Sequence, residues 1–309
     1  MTNTKTSIVL GAGPLGRAIA ENLAAKGEPV VVVTRDGRQI GAGIEVRNAD
    51  LSSAGETTNA CDGASVIYQC AAPPYHQWQD KFPALQKAAI EAAARTGAAL
   101  VAVENLYGYG VAGRLAQDAP LSATTRKGRV RASMSEALLD AHKTGKVTCV
   151  AGRATDFFGP GVTMSALGER FWPAVLNGKP VDWVGDPNAL HSFAFLPDLA
   201  AAYIALAEDE GMWGKAWHMP ALPPISARNL CALIANVDGS DTRIRRTPSW
   251  LLRVVGMFQP AAKELIEMRY MFDEPFIVDH APFNRHVPDV EVSTWEDAIS
   301  KSVIWWQSQ

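Results

Sequence analysis

Three glycines at a fixed spacing, Gly11, Gly13 and Gly16, are the residues of this chain with the clearest chemical use. The first permits a tight turn, the second lets a pyrophosphate approach the backbone, and the third lets a helix pack closely on a sheet. Pro14 and Leu15 lie between them, where a helix would begin and present free N–H groups to phosphate. The pattern predicts a pyrophosphate site; a glycine-rich turn that binds nothing is the alternative.

The elements around these glycines are those that a dinucleotide site requires. An apolar strand is predicted at residues 7–10, a helix at 17–26 and a second apolar strand at 30–33. A strand, a glycine loop, a helix and a strand follow one another within about thirty residues, as in dinucleotide-binding units. We therefore expect a bound dinucleotide.

The end of the second strand bears on which dinucleotide is bound. A carboxylate near this point usually holds the ribose 2′-hydroxyl of NAD. Here Thr34 stands at that position and Arg35 follows it, and a guanidinium suits the 2′-phosphate of NADP. NADP is favoured, whereas Asp36 keeps NAD possible; a solvated charged turn is the third interpretation.

Strand and helix patterns alternate well beyond this unit. Further strands are predicted at 44–47, 64–70, 99–103 and 146–153, and helices at 82–96, 128–142 and 294–307. The predicted fold is α/β, a Rossmann-type doubly wound parallel sheet with a smaller C-terminal substrate lobe. Residues 1–157 form the predicted dinucleotide-binding domain, with a return segment at 189–207, and residues 158–309 form mainly the lobe.

Composition narrows the class of protein. The net charge of −3 over 309 residues gives no basic field, so neither nucleic acid nor an anionic membrane is an expected partner. The four cysteines are widely spaced, which argues against a disulfide framework, and no metal site is expected. The N-terminus has no signal-peptide pattern and no segment is long enough to span a membrane, so we expect a cytoplasmic, soluble enzyme.

Several motifs together resemble the extended and atypical short-chain dehydrogenase/reductase superfamily, in its NAD-dependent epimerase/dehydratase-like branch. They are the glycine pattern, Asp50-Leu51, Ala71-Ala72, Tyr107-Gly108, residues 153–161, and residues 191–200. The resemblance implies that Asp50 and Leu51 contact adenine and that Ala71 and Ala72 run beside ribose and phosphates. It also implies that Ala154, Thr155 and Asp156 reach the nicotinamide carboxamide. Ordinary packing at strand ends is the alternative at each position.

The positions that match the family's catalytic residues are changed. Lys127 stands where the resemblance places Tyr, Arg131 where it places Lys, and Val103 where it places Ser or Thr. Lys127 and Arg131 are four residues apart and share a helix face. Arg131 could hold ribose hydroxyls, and a partly buried Lys127 could transfer a proton, as a lysine does in the branch that resembles isoflavone reductases.

Other interpretations of this site remain open. Lys127 as an anion contact or a solvated residue is the alternative, and Tyr107 is the second candidate for the proton donor. Five further side chains at strand ends and adjacent turns are candidates for lining a substrate pocket. They are His76, Trp78, Glu104, Asn105 and His191. The alternatives are packing of Trp78 on the helix at Phe82, a surface position for His76, and structural hydrogen bonding for His191.

Three functions compete at this point. The first is an NADP-dependent oxidoreductase that transfers hydride to or from a carbonyl or alcohol of a small organic substrate. The second is a nucleotide-sugar epimerase or dehydratase, and the third is a non-enzymatic NADP sensor or scaffold. The resemblance also suggests a homodimer formed through the helices at 82–96 and 128–142.

Overall fold

A sheet of seven parallel strands lies at the centre of the protein. The computed structural model describes residues 6–239, 242–248 and 266–309. Residues 1–5 of the predicted dinucleotide-binding domain, and residues 240–241 and 249–265 of the predicted lobe, lie outside the described residues. The strands are β1 (Thr6–Leu10), β2 (Val30–Thr34), β3 (Ile44–Asn48), β4 (Ala64–Gln69), β5 (Ala99–Asn105), β6 (Gly113–Leu115), β7 (Cys149–Ala154), β8 (Phe157–Phe158), β9 (Val181–Trp183), β10 (Leu190–His191), β11 (Ala194–Phe195), β12 (Ala216–His218), β13 (Ile225–Ser226), β14 (Ile244–Arg246) and β15 (Phe276–Val278). The α-helices are α1 (Pro14–Ala25), α2 (Ala54–Ala60), α3 (Trp78–Thr96), α4 (Arg126–Lys143), α5 (Trp172–Leu176), α6 (Leu196–Glu208), α7 (Ala227–Asp238), α8 (Tyr270–Asp273), α9 (Ala281–His286) and α10 (Trp295–Gln307).

The strand order of the central sheet is β12-β7-β5-β4-β1-β2-β3, and every neighbouring pair is parallel. The order reverses at β1, which has β2 on one side and β4 on the other. Ligands of such sheets bind at the carboxyl ends of the strands beside this reversal. The predicted α/β Rossmann-type sheet is therefore confirmed, and the glycine loop lies at its reversal point.

Alternating side chains of the strands fill two separate cores, one on each face of the sheet. Val9, Val32 and Val101 pack with α1 and α6, whereas Ile8, Val31 and Leu100 pack with α3 and α4. Because both faces are covered, the inner strands are apolar at most positions, as buried parallel strands require, whereas the edge strand β3 carries Glu45 and Arg47. Among the described helices, none combines the length and apolar character of a membrane span.

The observed elements match the predicted ones closely, with two informative differences. Helix α3 begins at Trp78 rather than 82, so Trp78 starts the helix instead of preceding it. The seventh strand, β12, lies beyond the predicted return segment of 189–207, whereas β10 within that segment joins a different sheet. A three-residue strand such as β12 is too short to give a period in the sequence.

A smaller lobe lies beside the sheet, and we call it the C-terminal lobe. Its four strands have the order β13-β10-β15-β6, with helices α5, α7, α8 and α10. Trp172, Phe195 and Trp295 are among the buried aromatic residues of its core. Strand β6 follows directly after the turn at Tyr107, so the lobe is tied to the end of β5.

A buried polar network runs beneath the carboxyl edge of the sheet. Arg153 on β7 donates to Glu104 at 3.3 Å and to the Tyr109 hydroxyl at 2.7 Å. That hydroxyl lies 2.8 Å from Nε2 of His218 on β12, and Nδ1 of His218 lies 2.9 Å from the carbonyl of Asp279. Since a carbonyl only accepts, the imidazole carries its hydrogen on Nδ1. The network joins three central strands to the chain that follows β15.

We expect stability to fall as pH decreases through the titration range of His218. Burial, together with the charge of Arg153, lowers the pKa of His218 from 6.5 to about 4. Between these values the unfolded chain binds a proton that the folded protein does not, so acid favours unfolding by up to roughly 3 kcal/mol. The measurement is the free energy of unfolding in urea from pH 7 to about pH 4.

The variant His218→Gln removes this proton uptake and should flatten the pH dependence. His76→Gln is the matched control, because His76 is exposed and lies outside the network. An equal slope in the wild-type protein and the His218→Gln variant would contradict the assignment.

Candidate functional site

The glycine loop brings β1, α1 and the end of β4 into close contact. Gly11 has a φ of +101°, and a Cβ there would lie 2.8 Å from Cα of Ala71. A Cβ on Gly16 would overlap the carbonyl oxygen of Gly11. Both positions therefore require glycine for the fold itself, and Ala71 lies against the loop; its contact with ribose and phosphates remains a prediction.

Gly13 differs from these two glycines because it faces open space. It is exposed, and a Cβ built on it would meet no protein atom within 4 Å. It is also the N-cap of α1, has no side-chain cap, and is followed by exposed Pro14 and buried Leu15. The first N–H groups of a helix have no partner within the helix and attract anions. An open cradle at a helix N-terminus fits the pyrophosphate of a dinucleotide.

Thr34 and Arg35 lie at the neighbouring strand end. The Thr34 hydroxyl accepts a hydrogen bond from the backbone of Gly37 at 3.0 Å, while the Arg35 side chain is exposed. The carboxylate of Asp36 is 2.6 Å from Arg38, whose hydrogen bond lowers the pKa of Asp36. Asp36 thus has a cationic partner in the turn, and the exposed Arg35 contributes a positive charge near Asp50.

Asp50 and Leu51 follow β3, which pairs with β2 at this same edge of the sheet. The carboxylate of Asp50 accepts hydrogen bonds from the backbone and hydroxyl of Ser52, and these lower its pKa. Its side chain is exposed, whereas Leu51 is buried. The predicted adenine contacts therefore lie beside the predicted ribose contacts, and their roles remain predictions.

Lys127 lies near the N-terminus of α4. This helix packs against β5 and β7, which lie on the other side of β1 from β2 and β3. The Lys127 side chain is only 5% exposed, and Nζ is 3.2 Å from Oε2 of Glu267 and 4.4 Å from the centre of the Tyr75 ring. Burial lowers the pKa of Lys127, and the charge of Glu267 opposes that shift. Proton transfer by Lys127 is accordingly accessible closer to neutral pH than for a solvated lysine.

The Tyr75 ring beside this lysine belongs to an aromatic cluster formed by Tyr75, Trp78, Phe82 and Tyr107. The hydroxyls of Tyr75 and Tyr107 are 3.4 Å apart, and both rings contact Trp78, which in turn packs on Phe82. Burial raises the pKa of Tyr107 well above its usual value, and the neighbouring Tyr75 adds to that effect. The Tyr107 hydroxyl therefore keeps its proton, which makes it a hydrogen-bonding group rather than a base.

Arg131 lies one helical turn after Lys127, but it points into the protein. Nη2 donates to the carbonyl of Val103 at 3.2 Å, and the guanidinium stacks 4.6 Å from the centre of the Phe82 ring. Burial lowers the pKa of Arg131. Its Nε atom is buried and has no hydrogen-bond partner among the described residues. A buried donor without a partner fits the predicted contact with a ribose hydroxyl.

Asp156 and His191 form a second polar pair near the aromatic cluster. Nε2 of His191 is 3.0 Å from Oδ2 of Asp156, and Nδ1 is 3.1 Å from the carbonyl of Met271. The imidazole is buried and stacks on Phe272. Thr155 donates its hydroxyl to the Ser192 carbonyl at 2.7 Å, and Ala154 is buried. Of this group Asp156 is the most exposed, at 21% of its side chain.

The remaining candidates for the substrate pocket take different positions. Glu104 is buried in its ion pair with Arg153, and Asn105 accepts a hydrogen bond from the backbone of Tyr107. Trp78 donates to the carbonyl of Pro73, and exposed His76 contacts Gln77. Ala72 is exposed at the loop after β4. Trp78 is thus the member of this set that contacts the aromatic cluster.

Glu267 is a contact of Lys127 that the sequence does not reveal. Glu267 is 140 positions from Lys127 along the chain, and its surroundings contain no motif. Tyr75 begins a 3₁₀ turn directly before α3. Its place after Ala71-Ala72 was the available signal, because residues that follow a strand at this edge tend to reach the site.

A family model describes this chain over most of its length. The model of the NAD dependent epimerase/dehydratase family matches residues 7–217, which include the central sheet, Lys127 and Arg131. Among curated proteins, no sequence matches this chain.

Solved structures of low sequence identity share the fold across the whole chain. A proposed epimerase from Burkholderia cenocepacia J2315 has a TM-score of 0.81 at 16% identity, covering 99% of both chains. dTDP-glucose 4,6-dehydratase from Bacillus anthracis str. Ames, in complex with NAD, has a TM-score of 0.80 at 15% identity, covering 99% of this chain and 97% of its own. UDP-glucuronic acid 4-epimerase from Bacillus cereus, in complex with UDP-glucuronic acid and NAD, has a TM-score of 0.80 at 15% identity, covering 98% of this chain and 99% of its own.

Alanine at two of the glycines should separate folding from ligand binding. Gly13→Ala adds a methyl group that touches no protein atom, so the melting temperature should stay near that of the wild type while affinity for NAD and NADP falls at least about tenfold. Gly16→Ala should lower both the melting temperature and the affinity for the dinucleotides, because the new Cβ overlaps the backbone of Gly11. Thermal unfolding and calorimetric titration measure the two effects. Unchanged affinity in a folded Gly13→Ala variant would exclude this cradle as the pyrophosphate site.

Proposed function

The chain belongs to the NAD-dependent epimerase/dehydratase family, and we propose that it is an enzyme acting on a nucleotide-linked sugar. In this proposal it is an epimerase or dehydratase in which Lys127 transfers the proton of a substrate hydroxyl. The observation that carries the proposal is the buried Lys127 ammonium beside the Tyr75 ring, whose hydroxyl is 3.4 Å from that of Tyr107. The family match and neighbours that bind NAD and UDP-glucuronic acid support it.

The dinucleotide supplies the acceptor or donor of a hydride when it is bound. Gly13 and the N-terminus of α1 would hold its pyrophosphate, and Nε of Arg131 is the unpartnered donor available to a ribose hydroxyl. Lys127 in its neutral form accepts the proton of a hydroxyl, and in its charged form returns a proton to the oxygen. Tyr107 stays protonated and orients the substrate by hydrogen bonding.

A lysine at this position changes the chemistry expected of the family. A tyrosine base must be ionised to act, whereas Lys127 is an uncharged base after deprotonation. Its lowered pKa brings this neutral form closer to physiological pH. The replacement of the family's tyrosine by Lys127 is therefore compatible with proton transfer, with an amine instead of a phenolate as the base.

An NADP-dependent oxidoreductase with a small carbonyl or alcohol substrate is the second candidate. The exposed Arg35 favours it, because NADP is the usual cofactor of reductive chemistry and Asp36 is paired with Arg38. The family comparison supports the first candidate more strongly. A non-enzymatic sensor or scaffold remains the third, and a homodimer through α3 and α4 remains a prediction.

Product analysis with a panel of UDP- and dTDP-linked sugars tests the enzyme proposal. We expect an epimerised or dehydrated sugar by NMR with no net change in cofactor absorbance, since the cofactor is regenerated in each turnover. Net oxidation of NADPH by simple carbonyl compounds would support the oxidoreductase instead. Tight dinucleotide binding without any product would favour the sensor.

Lys127→Met should lower the turnover number by about 10²- to 10⁴-fold, because it removes the proton-transfer group. The affinity for the dinucleotide should stay the same. Lys143→Met is the matched control, since Lys143 is an exposed lysine on the same helix. In the direction in which Lys127 accepts a proton, activity should rise with pH along a limb that lies below 10.5, its ordinary pKa. A Lys127→Met variant with full activity would assign the proton transfer to another group.

Preference for NADP is tested by reversing the charge at the rim of β2. Arg35→Glu should weaken NADP binding by about 10- to 100-fold, because a charge-assisted contact with the 2′-phosphate becomes repulsive. NAD binding should change little. Arg95→Glu is the control, since Arg95 is an exposed arginine in the last turn of α3. Equal loss of both dinucleotides in Arg35→Glu would argue against a 2′-phosphate contact.

A further inference from the structure

One carboxylate, that of Glu267, contacts Lys127 at two separate points. Oε1 accepts the backbone N–H of Lys127 at 2.9 Å, and Oε2 lies 3.2 Å from the ammonium nitrogen. The Glu267 side chain is 15% exposed, so the pair is largely shielded from water. Such a two-point contact fixes the position of the lysine and not only its charge.

The backbone contact has its own physical reason. Lys127 is the second residue of α4, so its N–H is one of those that the helix leaves unsatisfied. The Thr125 hydroxyl accepts the N–H of Gly128 at 3.1 Å, and Glu267 accepts the N–H of Lys127. A carboxylate is also favoured at a helix N-terminus by the helix dipole. Glu267 therefore stabilises the start of α4 while it binds the side chain.

Glu267 comes from a distant part of the chain. It precedes α8 of the C-terminal lobe, and Met268 beside it packs with Leu106 and Tyr109 in a buried cluster next to β5. Among the described residues, the charged and titratable groups that face this pair include Arg126, 3.7 Å from Glu267, the Tyr75 ring over the lysine, and Tyr270, whose pKa burial raises to about 12. The C-terminal lobe thus carries Glu267, the carboxylate that binds Lys127 of the central domain.

We propose that Glu267 is a positioning residue: it holds the ammonium group of Lys127 under the Tyr75 ring, so that the C-terminal lobe completes the proton-transfer site. This inference rests on the role proposed for Lys127. It adds that docking of the lobe and the proton-transfer capacity of Lys127 are coupled through one carboxylate.

The electrostatic consequence has a definite sign. Burial lowers the pKa of Lys127, the Glu267 carboxylate raises it, and Arg126 lowers it. In Glu267→Gln the raising contribution is lost, so the pKa of Lys127 should fall further. Burial alone would raise the pKa of Glu267, but its contacts with Lys127 lower it overall, as expected for a pair that stabilises both charges.

The test follows the titration of Lys127 directly. The full-length protein is produced with carbon-13-labelled lysine, and the signal missing from Lys127→Arg identifies Lys127 in the NMR spectrum. Titrations compare the wild type with Glu267→Gln, with Glu267→Asp, and with Glu274→Gln, a control that removes an exposed carboxylate nearby. The same variants are assayed for the pH dependence of turnover.

We expect the titration midpoint of Lys127 to fall in Glu267→Gln, to fall less in Glu267→Asp, and to stay unchanged in Glu274→Gln. The limb of the pH–rate profile should move by the same amount. A lower melting temperature without any movement of the midpoint would overturn the inference, because it would indicate a purely structural contact. If Glu267→Gln does not fold, an unmoved midpoint in Glu267→Asp overturns it equally.

The titration also separates this inference from the proposed function. A shifted Lys127 midpoint without detectable product would support the Glu267 contact and count against the enzymatic role. Product formation with an unmoved Lys127 midpoint would support the enzymatic role and count against the positioning role of Glu267.

Discussion

The close approach of α1 to the sheet is the constraint on which the rest of the site depends. Gly16 lies so near the carbonyl of Gly11 that no side chain fits between them, and Gly11 has the same relation to Ala71. These contacts align the start of α1 with the ends of β1 and β4. Because they are contacts between backbones, they leave Gly13 as the open position at the helix N-terminus. The phosphate cradle is therefore a result of packing, and its geometry does not require any charged side chain.

The same strand ends hold buried cations, and each is stabilised differently. Lys127 has a carboxylate from the C-terminal lobe, and Arg153 has Glu104 from the neighbouring strand. Arg131 donates to a carbonyl and stacks on Phe82, with Nε left unpartnered among the described residues. Removing one partner of a buried pair typically costs about 3–5 kcal/mol, so the first two cations depend strongly on their carboxylates. The contact of Arg131 with a ribose hydroxyl remains a prediction.

The sequence allows the central sheet to be predicted because the information is local. Apolar runs such as 30–33 and the glycine spacing after β1 are read within a few residues, and the structure bears out the resulting α/β fold. The strand β12 and the four-stranded sheet of the lobe are missed, since strands of two or three residues carry no period. At the candidate site, Lys127 and Arg131 are proposed from the positions that match the family resemblance, and the structure places both on α4. Glu267 is not, because only the tertiary fold brings it to Lys127.

This difference explains why the cofactor site is easier to derive than the reaction. A phosphate cradle needs a loop and one helix end, both formed within thirty residues, whereas proton transfer needs groups whose environment is assembled from several segments. Lys127 is an ordinary lysine in the sequence, and its unusual properties come from burial, the Tyr75 ring and the Glu267 carboxylate. A tyrosine in its place would be ionised with difficulty in such surroundings, as the raised pKa of Tyr107 indicates. Burial favours the neutral form of either side chain, and for lysine the neutral form is the base. The aromatic enclosure is therefore better matched to a lysine base than to a tyrosinate.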